Sequence, residues 1–302
     1  MRETTINAYP TTLQGIDARF IMIPEFVILH PNKKVLASYI YFYVNAGMDY
    51  SINFSFYFLM KWNLYKSNIR KNNTLVHFFD AVQYLYDKEI ITAKDKPSYF
   101  KFYSLTNKSL VELSLNMDVI NKVIDKDNFA IIYIDEILDI IDFYKNNSPN
   151  NFIDTIATLA FLRLKIKLRD DTDTEQKKPE AYYNFYKNIY SELCIGKKGF
   201  SRAINVLSKE LGIIYLVHSK YQYKQGQDEV GKIIILPTIF CNYYHRRKGK
   251  IINGDKDYCE TETNKAHEKM MEDFDIKKAI NIKKDTSLEE ADILSDWVED
   301  TE

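Results

Sequence analysis

Apolar residues recur along this chain in short solid runs and in helical stripes, and the two patterns alternate in the same order twice. Residues 19–29 (RFIMIPEFVIL) and 128–138 (NFAIIYIDEIL) each carry a Phe, a β-branched run, an acidic residue and an apolar pair, which predicts a strand opening each copy. An apolar helical stretch follows in each, KKVLASYIYFYV (33–44) and FIDTIATLAFLRLKIKL (152–168). In the latter, Ile156, Leu159, Ala160 and Arg163 fall at helical spacing. Aromatic-rich helices come next, SFYFLMKW (55–62) and PEAYYNFYKNIYSEL (179–193), the second starting at Lys178-Pro179 because proline is tolerated at the first helical position. Polar, basic turns then lead into a third helix, NLYKSNIRKNN (63–73) in one copy and CIGKKGF (194–200) in the other.

The third helices are amphipathic. Leu75, Phe78, Val82 and Leu85 make one apolar stripe, and Phe200, Ile204, Leu207 and Leu211 make the other. Both end in a similar phrase, YDKEIIT (86–92) and SKELGIIY (208–215). A hairpin closes each copy. Ile90–Ala93 and Tyr99–Leu105 flank KDKP (94–97), while IIYLVHS (213–219) and KIIILPTIF (232–240) flank the polar tip KYQYKQGQDEVG (220–231). Strand, helix, helix, basic turn, helix, hairpin is the order of a winged helix-turn-helix. The expected fold is α+β, with two tandem winged-helix domains at 15–107 and 128–250, a linker at 108–127 and a partly disordered acidic tail at 251–302. The competing reading is two unrelated helical domains that look alike through their Tyr and Phe content.

Length agrees with this layout, since 302 residues suggest about two domains. A hydrophobic content of 46% and a charged content of 27% are those of a globular chain. Three scattered cysteines make no disulfide framework, and no apolar run reaches the roughly 18 residues of a membrane span. The start, MRETTINAYP, lacks the apolar core of a signal peptide, so a cytoplasmic protein without membrane contact is expected. The net charge of −1 hides an asymmetry: residues 1–250 sum to +8 and residues 251–302 to −9.

A helix-turn-helix lays its last helix in the major groove, so the start of each third helix should hold phosphate- and base-contacting side chains. In the first copy these are Lys66, Ser67, Asn68, Arg70, Lys71, Asn72, Asn73 and Thr74, with His77 one turn on. In the second they are Lys197, Lys198, Ser201, Arg202 and Asn205. Lys220, Tyr221, Gln222, Tyr223 and Lys224 on the wing reach a minor groove or backbone, and the two tyrosines can stack on bases. Arg246, Arg247 and Lys248, with Lys250, add positive charge after the second domain.

Together, FIMIP (20–24), YIYFY (39–43), NNTLVHFFDAVQYLYDKEII (72–91) and GFSRAINVLSKELGII (199–214) resemble replication-initiator and primosome-type winged-helix proteins of plasmids, phages and conjugative elements from low-GC Gram-positive bacteria. The resemblance spans residues 15–250 and is one of layout, without an invariant motif. It implies a double-stranded DNA-binding protein that recognises repeated sites, recruits other proteins and forms a homodimer. Transcription regulators use the same modules, and a winged-helix adaptor that binds protein without DNA is the rival from another class. A basic strip over both third helices favours DNA, and a neutral or acidic one favours the adaptor.

Other chemistry is weaker. Gly226–Ile233 falls one residue short of a phosphate loop, with Ile233 where the magnesium-binding Ser or Thr belongs. Cys241, His245, Cys259 and His267 form a C-x3-H-x13-C-x7-H set that matches no common zinc finger, and they are expected as free thiols and ordinary histidines. Asp170, Asp171, Asp173 and Glu175 lack the glycine of a calcium loop. There is no His-x-His pair for a nicking enzyme and no hydrolase elbow, so neither an enzyme nor a cofactor is expected. In the tail, KAHEKMMEDFDIKKAINIKK (265–284) predicts a marginal amphipathic helix. Leu288, Ile293, Leu294 and Trp297, set among carboxylates, suggest a segment that recruits a replication or transcription protein, or a strip that covers the basic face.

Overall fold

The computed structural model describes residues 12–13, 16–17, 20–65, 73–94, 100–106, 108–124, 126, 128–147, 151–166, 177–218, 220–223, 232–242, 255–273 and 279–280. After a short antiparallel pair, β1 (Thr12–Leu13) and β2 (Ile16–Asp17), the strand that opens each copy meets its counterpart. β3 (Phe20–Pro24) and β7 (Phe129–Tyr133) run antiparallel, with Met22 opposite Ile131 at the centre of the register. Side chains alternate across such a ribbon. Ile21, Ile23, Ala130 and Ile132 enter the main core, while Ile131 and Tyr133 pack on the other face with Phe20, Met22 and Tyr258. The Asn128 carbonyl accepts from the Glu25 amide at 2.9 Å, and the Asn128 side chain donates to the Glu25 carboxylate at 2.9 Å, closing one end of the ribbon.

α1 (Glu25–Ile28) and α2 (Lys34–Asn45) follow β3, and α6 (Ile134–Asn146) and α7 (Phe152–Lys165) follow β7. α2 and α7 are apolar nearly all round, as helices buried on every side must be. Val35–Phe42 and Thr155–Arg163 are buried, and α7 packs against both α1 and α2. One core therefore runs through both copies.

Each copy then repeats one layout. In the first, β4 (Ser51–Phe54), α3 (Phe56–Trp62), α4 (Asn73–Asp87), β5 (Ile91–Ala93) and β6 (Val111–Leu115) build a sheet of order β4-β6-β5. In the second, β8 (Tyr182–Asn184), α8 (Tyr186–Glu192), α9 (Lys197–Asn205), β9 (Ile214–Val217) and β12 (Thr238–Asn242) build a sheet of order β8-β12-β9. The turns match as well. Leu64 (φ 62) and Cys194 (φ 51) sit left-handed two residues after α3 and α8. At both ends the next amide reaches back five residues, Tyr65 to Met60 and Ile195 to Tyr190. Glu89 (φ 58) and Gly212 (φ 57) take the same conformation before β5 and β9.

The two copies differ in their hairpins. In the second, β10 (Lys220–Tyr223) and β11 (Lys232–Ile235) prolong the hairpin beyond β9 and β12. In the first, the segment read as a hairpin strand, Tyr99–Leu105, instead holds a 3₁₀ turn at Phe102–Ser104 with Phe102 buried. The strand is β6, whose Val111, Leu113 and Leu115 point inward while Glu112 points out. β6 and α5 (Met117–Ile124), with Ile120 and Ile124 buried, thus occupy the stretch read as a linker. Four further elements depart from the sequence reading. β4 and β8 precede the second helices, so Tyr182–Asn184 is strand where a helix from Pro179 was expected. α6 extends the second opening strand into a full helix. α10 (Asp255–Asp273) starts earlier than the expected tail helix and is anchored, with Cys259, Ala266 and Met270 fully buried. α10 packs on β12 and β8, and the short β13 (Ala279–Ile280) then pairs with β10.

Candidate nucleic-acid interface

α9 is amphipathic over its whole length. Gly199, Phe200, Ala203 and Ile204 face the core, and Lys197, Lys198 and Arg202 are exposed. A five-residue π-helical turn, Val206–Glu210, continues it. The inward face explains how α9 is held. Gly199 lies against the Asp154 carboxylate of α7, so closely that a methyl group there would collide with Asp154 Oδ2. A carboxylate at the start of a helix also suits the positive end of its dipole. Burial raises the Asp154 pKa, and Lys34 and Lys33 pull it back. Lys33 is itself buried, donates to the Ile28 carbonyl at 2.8 Å, and is pushed down to about 8 by burial.

The second copy thus brings Lys197, Lys198 and Arg202 together on one exposed face, with Ser201 half-buried among them. Burial raises the Tyr144 pKa, and its 2.7 Å bond with Thr155 and the nearby Arg202 charge pull it back. Asn205 is half-buried, and its Oδ1 is buried without a partner among the described residues, so it is set inward from the face where the sequence reading put it.

The first copy is built differently at the same place. The exposed residues of α4 among those described are Val76, His77, Asp80 and Asp87, with His77 and Asp80 4.0 Å apart. Residues 100–105 cross one flank of this helix. Tyr103 stacks on Phe79 with 5.3 Å between ring centres and donates to Asp80, and the Phe102 amide donates to Gln83 at 3.1 Å. Thr74 is half-buried. Asn73 begins α4, and its side chain is not among those described. Lys66, Ser67, Asn68, Arg70, Lys71 and Asn72 lie outside the described residues. So do Lys224, Arg246, Arg247, Lys248 and the tail residues Leu288, Ile293, Leu294 and Trp297. Lys220, Tyr221 and Tyr223 lie on β10, described as backbone only.

Cys241 and Cys259 come together, both buried, with their thiols 3.7 and 3.2 Å from the Asn242 carbonyl. Their mutual hydrogen bond, the largest cause, and burial push the Cys241 thiol well above its ordinary range. His267 lies eight residues along α10 from Cys259, His245 is outside the described residues, and among the described residues no His, Cys, Asp or Glu group could hold a metal ion. No helix among them is long and apolar enough to cross a membrane. Compared with known families and with curated proteins, the chain matches no family model and no curated sequence.

Sequence reasoning missed two groups of residues. Asp154 positions α9 but sits inside an apolar run, where a lone carboxylate was the only signal. Arg163 makes a buried 2.5 Å ion pair with Glu136, donates to the Ile131 carbonyl at 3.3 Å, and locks β7, α6 and α7 together.

Proposed function

We propose that this chain is a sequence-specific double-stranded DNA-binding protein built from two winged helix-turn-helix modules, acting as the replication initiator of a mobile element. The observation that carries the reading is the repeated order of helix, strand, two helices and two strands. In each copy the sheet pairs first, third, second, and in the second copy Lys197, Lys198 and Arg202 line the outside of the last helix. A winged helix has this order, and its last helix enters the major groove. Lys197 and Lys198, at the first turn of α9, then neutralise phosphates and set register, and Arg202, one turn on, faces the base edges. The β10–β11 hairpin takes the place of the wing. No chemical step is needed. The reading implies a cytoplasmic homodimer with a second, protein partner.

For the first copy a specific observation favours protein contact over DNA. Among the described residues, the exposed positions of α4, Val76, His77, Asp80 and Asp87, include no Lys or Arg, and Tyr103 engages Asp80 along the same helix. On this reading the second copy supplies most of the DNA affinity. The test is a fluorescence-anisotropy titration of duplex DNA with the parent chain and with K197A/K198A. Each phosphate contact adds about 0.9 to the salt slope, so between about 50 and about 200 mM salt the variant should lose about 12-fold less affinity than the parent. Equal slopes would remove α9 from the interface.

A further inference from the structure

The path of the chain after α10 bears on the same surface. β13 adds to the free edge of β10, with Gln222 opposite Ile280 and Tyr223 opposite Ala279. α10 is anchored by buried Cys259, Ala266 and Met270, so the chain is delivered to the hairpin from a fixed origin. Residues 281–302 therefore start at the wing that, with α9, makes the proposed DNA surface. The last 18 residues, Asp285–Glu302, carry eight carboxylates and no Lys, Arg or His. Extended, the 22 residues after Ile280 reach up to about 73 Å, several times the roughly 14 Å length of α9.

We propose that Asp285–Glu302 is an intramolecular competitor for DNA, laying its carboxylates against Lys197, Lys198 and Arg202 on the exposed face of α9. This rests on the DNA-binding reading above. The physical basis is effective concentration. A short tether holds the tail near the face at millimolar level, so an intrinsically weak charge attraction still occupies it for a large share of the time. DNA then binds only the open fraction, and its apparent affinity falls by that fraction. The attraction is between exposed charges, so added salt should release it.

The test uses the full chain in three forms: the parent, the tail variant E289Q/E290Q/D292N/D296N, and a control with four exposed acids neutralised elsewhere, E89Q/D118N/D135N/D142N. Each is titrated against a labelled 20-base-pair AT-rich duplex at about 50 and about 300 mM salt. The tail variant should bind roughly threefold or more tighter than the parent at low salt, with the gap closing at high salt, and the control should move less. Equal affinity of tail variant and parent at low salt overturns the inference, as does a control that gains as much as the tail variant. If no form binds DNA in a salt-sensitive way, the DNA reading fails and the inference with it. If the parent binds and the tail variant does not differ, only the inference fails.

Discussion

Replacing Arg163 with Met tests how β7, α6 and α7 of the second copy are held together. The guanidinium is fully buried, and Glu136, its 2.5 Å partner, is 6% exposed. Arg163 also donates to the Ile131 carbonyl at 3.3 Å and stands 5.9 Å over the Tyr133 ring. Glu136 Oε2 meanwhile accepts from the Tyr133 amide at 3.2 Å, capping α6. Arg163→Met fills much of the volume but leaves a buried carboxylate without its cation. Breaking a buried pair in this way costs about 3–5 kcal/mol. Replacing both partners, as in R163M/E136L, removes the stranded charge, and such apolar replacements are often neutral or better. Part of the cap is lost as well, at about 1 kcal/mol. Urea unfolding followed by circular dichroism should therefore show a large loss for R163M and a recovery of 2 kcal/mol or more, roughly, in the double variant. Because one core spans both copies, the parent should unfold in a single transition. A single variant costing under about 1 kcal/mol, or a double variant no better than the single, would refute this account of the buried pair.

Two further outcomes follow from the cluster behind α9. Gly199→Ala should cost about 1–3 kcal/mol through the clash with Asp154, and the loss should shrink in a D154A background, measured by thermal melts of the four chains. Lys33 is held at about 8, below its ordinary 10.5, by burial. Between those two values the unfolded chain binds more protons, so this group makes stability rise with pH from about 8 to about 10.5. Urea titrations at pH 8, 9 and 10 should show that rise in the parent and a flatter profile in Lys33→Met. Identical profiles would remove Lys33 as its source.

The elements with a clear period were the ones legible in the sequence. The stripe Leu75–Leu85 became α4, the stripe Phe200–Leu211 became α9 and the π-helical turn that continues it, and the solid runs at 20–24 and 129–133 became the central ribbon. Strands of three or four residues, such as β4 and β8, are too short to establish a period, and their pairing with β6 and β12 is set by distant residues. β6 was hidden because VELSL follows polar residues that look like a linker, and only the pairing with β4 and β5 shows its role. For the site, the basic start of α9 was readable from GKKGFSR, whereas the crossing of α4 by Tyr103 was not. That crossing depends on Phe102 reaching the core and on Gln83 meeting the backbone of Phe100 and Phe102, contacts 17 and 19 residues apart.

The most direct measurement is anisotropy of the full chain against random AT-rich duplex at two salt concentrations, with K197A/K198A alongside. The account predicts salt-sensitive binding by the parent and a shallower slope, by about 1.8, in the variant. Absence of binding at low salt by both the parent and the tail-neutralised chain would contradict DNA recognition and leave the protein-contact reading in its place.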